Sequence, residues 1–254
     1  MLHLNGIQVE RQGRNILSID ELSLKEGEIT VILGHNGSGK STLMKLLARQ
    51  FSPDQGVVSY QDQPLDEMSQ KAFAQKVAYL PQHLPVADGL SVRELVRLGR
   101  FPWRGLLGRW LKHDDFIIDQ ALADTDLEAH AQSTVDQMSG GERQRAWIAM
   151  LLAQQTPYML LDEPTSALDL SHQYALMNLL RRLNRATGRG IVIILHDINL
   201  AARFADRILA LKQGVVIFDD EPAALMNNES LTALYDIPIQ TLAHPHGHEV
   251  AVVA

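Results

Sequence analysis

At 254 residues, 46% of them apolar, the chain is long enough for one large α/β domain with a substantial core and room for an inserted subdomain. A formal net charge of −7 argues against a general nucleic-acid binder, and the lack of cysteine excludes a disulfide framework and a thiolate metal site. Residues 1–6 lack the basic and apolar regions of a signal peptide, and no apolar run approaches the roughly 18 residues needed to cross a bilayer. A soluble protein is expected, with any membrane role borrowed from a partner.

In chain order, Leu2-His3-Leu4 and Ile7-Gln8-Val9 read as two strands, followed by a turn at Gln12-Gly13-Arg14-Asn15. The β-branched run of residues 29–33 predicts a buried strand, and residues 43–48 have helical spacing. Between them lies Gly34-His35-Asn36-Gly37-Ser38-Gly39-Lys40-Ser41-Thr42. A strand, a glycine loop ending in Gly-Lys-Ser and a helix form the context of a phosphate-binding loop. Glycines let successive N–H groups turn toward phosphate oxygens, and the helix amino end adds partial positive charge. Lys40 has the reach for the β- and γ-phosphates, and the Ser41 hydroxyl suits Mg²⁺. A lone Gly-x-Gly would be an ordinary helix-capping turn; the full spacing with Lys-Ser points to a nucleotide.

Pro53-Asp54-Gln55-Gly56 predicts a turn, with short strands at residues 57–60 and 76–80. From about residue 92 to 152 the pattern is mainly helical. It opens with a capping box at Ser91 and Glu94 and is interrupted by the looser stretch 99–108. Taken as residues alone, Phe101-Pro102-Trp103 is a turn with two core aromatics. The region reads as a helical insertion between two halves of a nucleotide-binding core. Tyr158-Met159-Leu160-Leu161 then has the unbroken apolar character of a strand covered on both faces. A long helix over 171–186, a buried strand over 191–195 and a hairpin turn at Lys212-Gln213-Gly214 follow. The tail predicts a helix entered at Pro222, another over 230–235, and a short extended end.

Two acids, Asp162 and Glu163, follow the 158–161 strand directly. With a phosphate loop upstream, Asp162 is assigned to Mg²⁺ and Glu163 to the base that orients the attacking water. Ser139-Gly140-Gly141 opens a helix and forms a second potential anion site. One nucleotide does not need two such loops from one chain, so the economical reading places this one on a nucleotide held by a second copy.

In order, the 34–42 loop, Gln82 after Leu80-Pro81, Ser139-Gly140-Gly141-Glu142-Arg143-Gln144, Leu160-Leu161-Asp162-Glu163-Pro164, Ser166-Ala167-Leu168-Asp169 and His196-Asp197 resemble one motif set. It is that of the ATP-binding cassette ATPases: Walker A loop, Q-loop, signature, Walker B, D-loop and switch histidine. The resemblance implies a P-loop NTPase core with a mixed, largely parallel sheet, an antiparallel β subdomain and an inserted helical subdomain. It implies a single ATPase domain over residues 1–254, with the insertion at about 83–153 and a tail at about 222–254. It also implies ATP and Mg²⁺ as cofactors, with His196 on the γ-phosphate and Gln82 sensing Mg²⁺ and the attacking water. Ser139 and Gly141 would close on the γ-phosphate of the opposite subunit in an ATP-dependent head-to-tail homodimer, linked by Asp169. The family usually has an aromatic residue near position 12 to stack on adenine. Here Arg11-Gln12-Gly13-Arg14 stands instead, so an arginine plane is the expected replacement.

One cassette with a compact insertion is similar to transporter motors rather than to the soluble repair and translation members. The stretch 91–103 resembles importers of iron siderophores, haem and cobalamin, and the stretches 71–82 and 141–150 most resemble the ferric hydroxamate ATPase. The implied partners are an integral membrane permease and, indirectly, a periplasmic or surface substrate-binding protein, with no nucleic acid. The implied location is peripheral, on the cytoplasmic side of the inner membrane. Cobalamin or haem is the second cargo, and a soluble regulatory ATPase the alternative class. His244, His246 and His248 invite a metal reading, but no acid cluster or thiol accompanies them.

Overall fold

The computed structural model describes residues 1–104, 108–244 and 249–254. Its contacts divide the chain into two compact units, residues 1–67 with 190–254, and residues 68–189. The first unit opens with β1 (Leu2–Arg11), β2 (Arg14–Leu24), β3 (Ile29–Leu33), α1 (Lys40–Leu47), β4 (Gln55–Tyr60) and β5 (Gln63–Pro64). The second contains α2 (Gln70–Ala74), β6 (Val77–Leu80), α3 (Val92–Leu98), α4 (Phe101–Arg104), α5 (Lys112–Asp124), α6 (Gly140–Ala153), β7 (Tyr158–Leu161) and α7 (Leu170–Thr187). The chain returns to the first unit at β8 (Gly190–Ile194), α8 (Ile198–Phe204), β9 (Arg207–Lys212) and β10 (Val215–Asp220). It ends with α9 (Pro222–Leu225), α10 (Asn228–Tyr235), β11 (Ile239–Ala243) and β12 (Glu249–Val253).

In the first unit the strands run in the order β5-β4-β1-β2-β10-β9-β3-β8. Strand β3 is parallel to both neighbours, Ile32 lying opposite Ile194 of β8 and Leu209 of β9. Every residue of β3 and β8 is buried, Thr30 included, as expected of β-branched strands covered on both faces. The carboxyl ends of β3 and β8 therefore deliver their loops side by side. The two strands expected at residues 2–4 and 7–9 are one. The buried set changes phase at Gly6 (φ +61), from Leu2 and Leu4 to Ile7 and Val9, so the alternation breaks while the strand continues. Pro222 opens only a one-turn helix, and the extended end folds back as a hairpin with Ile239 opposite Val253.

In the second unit β6 and β7 are parallel, Leu80 opposite Leu161, so the residues after both strands also meet at one edge. Helices α3, α5 and α6 pack around Leu95, Val96, Ile118, Ile148 and Leu151, all fully buried. The capping box at Ser91 forms as expected, the Ser91 N–H donating to Glu94 Oε2 at 2.8 Å. Phe101-Pro102-Trp103 is not a turn with core aromatics: it is α4, with Phe101 and Trp103 exposed. Arg100 holds the interior position instead. Its Nε donates to Asp114 Oδ1 at 3.0 Å, and its Nη1 to Ala153 O at 2.8 Å and Gln155 Oε1 at 2.9 Å. A buried guanidinium is tolerated when its donors are filled in this way. Among the described residues no helix is long and apolar enough to cross a membrane, and no group of three His, Cys, Asp or Glu could hold a metal. His246 and His248 of the suggested histidine site lie outside the described residues.

Candidate active site

In the first unit the 34–42 loop joins β3 to α1 and closes on itself, Ser38 N–H donating to His35 O at 3.1 Å. Gly34 and Gly39 take φ +147 and +102. A Cβ on Gly34 would lie 2.2 Å from Leu211 O, so neither the conformation nor the space admits a side chain there. The Lys40 ammonium, 5% exposed, donates to Gly34 O at 2.8 Å and His35 O at 2.9 Å. Helix α1 has no acid in its first turn and no side-chain cap, so the amino end that carries Ser41 and Thr42 keeps its positive pole. Among the described residues Ser38 Oγ is buried with no hydrogen-bond partner. A buried ammonium wrapped by its own loop, an orphaned hydroxyl and an uncapped helix end fit a polyphosphate. Leu195 N–H donates to Ile32 O at 3.3 Å, which places His196 at the same edge as Gly34. Asp197 caps α8 through Asn199 N–H at 2.8 Å and Leu200 N–H at 3.0 Å.

In the second unit the edge of β6 and β7 gathers Gln82, Asp162 and Glu163. Gln82 Nε2 donates to Glu163 Oε2 at 2.7 Å. Asp162, 3% exposed, follows β7 with its N–H on Leu80 O, and its Oδ2 accepts from the Tyr79 hydroxyl at 3.4 Å. Burial first, and then the Asp162 charge, push the Tyr79 phenol up to about 12. Glu163 takes φ +51, an uncommon conformation for a side-chain-bearing residue, and its carbonyl accepts from the Ser166 N–H and hydroxyl. The oxygen donors of Asp162 and Gln82, like that of Ser41 in the first unit taken by itself, have the hardness Mg²⁺ requires.

Ser139 caps α6 in a capping box, its hydroxyl donating to Glu142 Oε2 at 2.7 Å while Glu142 N–H donates back at 3.4 Å. The Ser139 hydroxyl and N–H hold the Glu142 carboxyl below the usual range. An added Cβ on Gly141 would lie 2.6 Å from His172 Cδ2, and the His172 ring in turn bonds Asp169 Oδ1 at 2.8 Å. Gly141 and Asp169 thus meet through His172. A cavity of about 440 Å³ is lined by Gln82, Gly140, Arg143, Glu163 and Leu168, so the signature helix and the Glu163 carboxylate open on one space.

Residues 17–166 match the family model for ABC transporters. The chain belongs to the ABC transporter family. It is 39% identical to the iron(3+)-hydroxamate import ATP-binding protein of Bacillus subtilis over 95% of this chain and 92% of that one. Its fold superposes on a metal-chelate type ABC transporter in an inward-facing conformation with TM-score 0.85 and 29% identity, covering 100% of this chain and 97% of that one. It also superposes on a dimeric ATP-binding cassette in a post-hydrolysis state bound to ADP and Pi, with TM-score 0.76 and 30% identity over 87% and 99%.

The cassette is a mixed α/β ATPase. Its second unit carries site residues the sequence reading missed. Tyr79 reaches Asp162 only because β6 pairs with β7, and no local pattern signals that. His172 sits three residues after Asp169, a spacing that was visible. Arg11 already has a partner for its plane: its guanidinium carbon lies 5.0 Å from the Phe51 ring centroid, and Nη1 donates to Asp54 Oδ2 at 3.4 Å. A base would have to use its other face.

Proposed function

We propose that this cassette hydrolyses ATP to power uptake of ferric hydroxamate siderophores through a separate membrane permease. The pairing of Gln82 with Glu163 beside Asp162 supports the chemistry, and the hydroxamate relative supports the cargo. Backbone N–H groups of Gly34, His35, Asn36, Gly37, Ser38, Gly39 and Thr42, with the Lys40 ammonium, neutralise phosphate oxygens. Ser41, Gln82 and Asp162 would hold Mg²⁺, which would supply positive charge to neutralise the phosphate oxygens. Glu163 orients and polarises the attacking water, and His196 contacts the γ-phosphate.

A second copy binds head to tail in the ATP state. Its Ser139, Gly140 and Gly141 complete the site, and Asp169 links the two sites. For the Ser139 hydroxyl to reach a phosphate it must leave Glu142, so closure exchanges a capping bond for an anion contact. Residues 83–153 act as the moving insertion of a single ATPase domain, and residues 222–254 form its tail. The permease takes the surface carrying exposed Phe101, Trp103 and Phe116, which places the chain peripherally on the cytoplasmic side of the inner membrane. A substrate-binding protein outside would deliver the chelate.

A strain lacking this protein should fail on a hydroxamate siderophore as sole iron source, yet grow on ferrous iron. Wild type should restore growth and Lys40→Ala should not. Normal growth on hydroxamates with failure on haem or cobalamin would leave the motor standing and overturn the cargo.

A further inference from the structure

We propose that the C-terminal tail, α10 with β11 and β12, is a clasp that holds the phosphate loop and the switch-histidine loop, with Tyr235 and Asn199 as positioning residues. The inference rests on the reading that residues 34–42 and His196 contact nucleotide. Both loops leave adjacent parallel strands, β3 and β8, and that pairing fixes their roots. The tail touches them further out.

The first contact is at His35. Lys212, at the end of β9, donates to Ala233 O at 2.7 Å and to Asp236 Oδ1 at 2.6 Å, placing a cation on the carboxyl end of α10 where the helix dipole favours it. This fixes Tyr235 and Asp236 beside the loop. The Tyr235 and His35 ring centroids are 5.6 Å apart with planes at 73°, an edge-on aromatic contact, and Asp236 Oδ2 is 4.0 Å from His35 Nε2. The same His35 offers its carbonyl to Lys40 and to the Ser38 N–H. Its side chain is anchored outward on the tail while its backbone is anchored inward on the lysine. A cavity of about 220 Å³ bordered by His35, Asn36, Gly37, Lys212 and Asp236 lies along this flank of the loop.

The second contact is at the segment after His196. Asn199 Oδ1 accepts from Ala251 N–H at 2.7 Å, and its Nδ2 donates to Ala251 O at 3.1 Å. The side-chain amide acts as one more rung on β12. Burial, and then the Asp197 charge, push the Tyr235 phenol up to about 12. Leu231 and Leu234 of α10, fully buried, with Ile239 of β11, seat the tail in the core, so the contacts are held from a rigid base.

The test is steady-state ATP hydrolysis by the full chain. Tyr235→Ala should raise KM for ATP about three- to ten-fold, the range of a lost aromatic pair, with kcat within about two-fold. Tyr235→Phe, which keeps the ring, should restore the wild-type KM. Asn199→Ala should lower kcat about three- to ten-fold through the histidine loop, with KM within about two-fold. Val253→Ala, at an exposed position of the same hairpin, should change neither. Wild-type constants in both alanine variants would overturn the clasp. So would KM and kcat shifting together in step with a fall in melting temperature, the signature of packing alone. Lys40→Ala and His196→Ala run alongside. If these leave hydrolysis intact the site reading itself falls; if they abolish it while the tail variants match wild type, only the clasp falls.

Discussion

Gln82 Nε2 donates to Glu163 Oε2 at 2.7 Å, so the amide beyond β6 holds the carboxylate beyond β7. A hydrogen bond to a charged acceptor contributes about 1.5–3 kcal/mol. Part of the orientation of the proposed base therefore resides in Gln82. Gln82→Ala should lower kcat about ten- to a hundred-fold while ATP affinity, measured by calorimetry, stays within a few-fold. An equal loss in affinity and turnover would make Gln82 a plain binding residue.

Arg100→Met should be among the most destabilising single changes in the second unit. It removes the main partner of the buried Asp114 carboxylate, leaving the Leu111 N–H and the longer ion pair to Arg104 at 3.8 Å; against desolvation, hydrogen bonds from Arg100 and the Leu111 N–H hold the Asp114 pKa down. Removing one partner of such a pair costs about 3–5 kcal/mol, and replacing both with apolar residues recovers much of it. Urea denaturation of Arg100→Met and of Arg100→Met with Asp114→Leu reads this. A single variant as stable as wild type would contradict it.

Asp169 supplies an acid-sensitive cap. Hydrogen bonds from the His172 N–H, the His172 ring and the Ser171 hydroxyl lower its pKa from 3.8 to about 2. A depressed carboxyl pKa means that the unfolded chain binds the proton first. The contribution is complete above about pH 4 and is lost as pH falls through 2. Asp169→Asn keeps a capping oxygen but does not titrate. Its melting temperature should fall less than that of wild type between pH 4 and 2; parallel curves would remove Asp169 from the acid response.

The sequence made much of this site legible because its parts are local. The glycine loop, the Ser91 capping box, the helix start at Ser139-Gly140-Gly141 and the acid pair after an apolar strand are each written within a few residues. What stayed hidden depends on distant pairing. Tyr79 meets Asp162 only through the β6–β7 register, and Asn199 meets Ala251 across fifty-two positions. Nothing local marks Arg100 as buried, since arginine is mostly exposed; its burial depends on Asp114, Ala153 and Gln155 converging from separate segments. The tail read as a short extended end because each half of its hairpin buries little, Ile239 in one and Ala251 in the other, while Leu242 and Val253 are exposed.

The most direct measurement is Glu163→Gln, assayed for ATP affinity, phosphate release and hydroxamate uptake in vesicles containing the permease. The amide keeps the shape of the side chain and its contact with Gln82 but cannot polarise water. Loss of a positioned base costs about 10²–10⁴ in rate. The account predicts ATP affinity within a few-fold of wild type, with phosphate release and uptake lost together. Phosphate release within a few-fold of wild type, or uptake that persists without it, would contradict it.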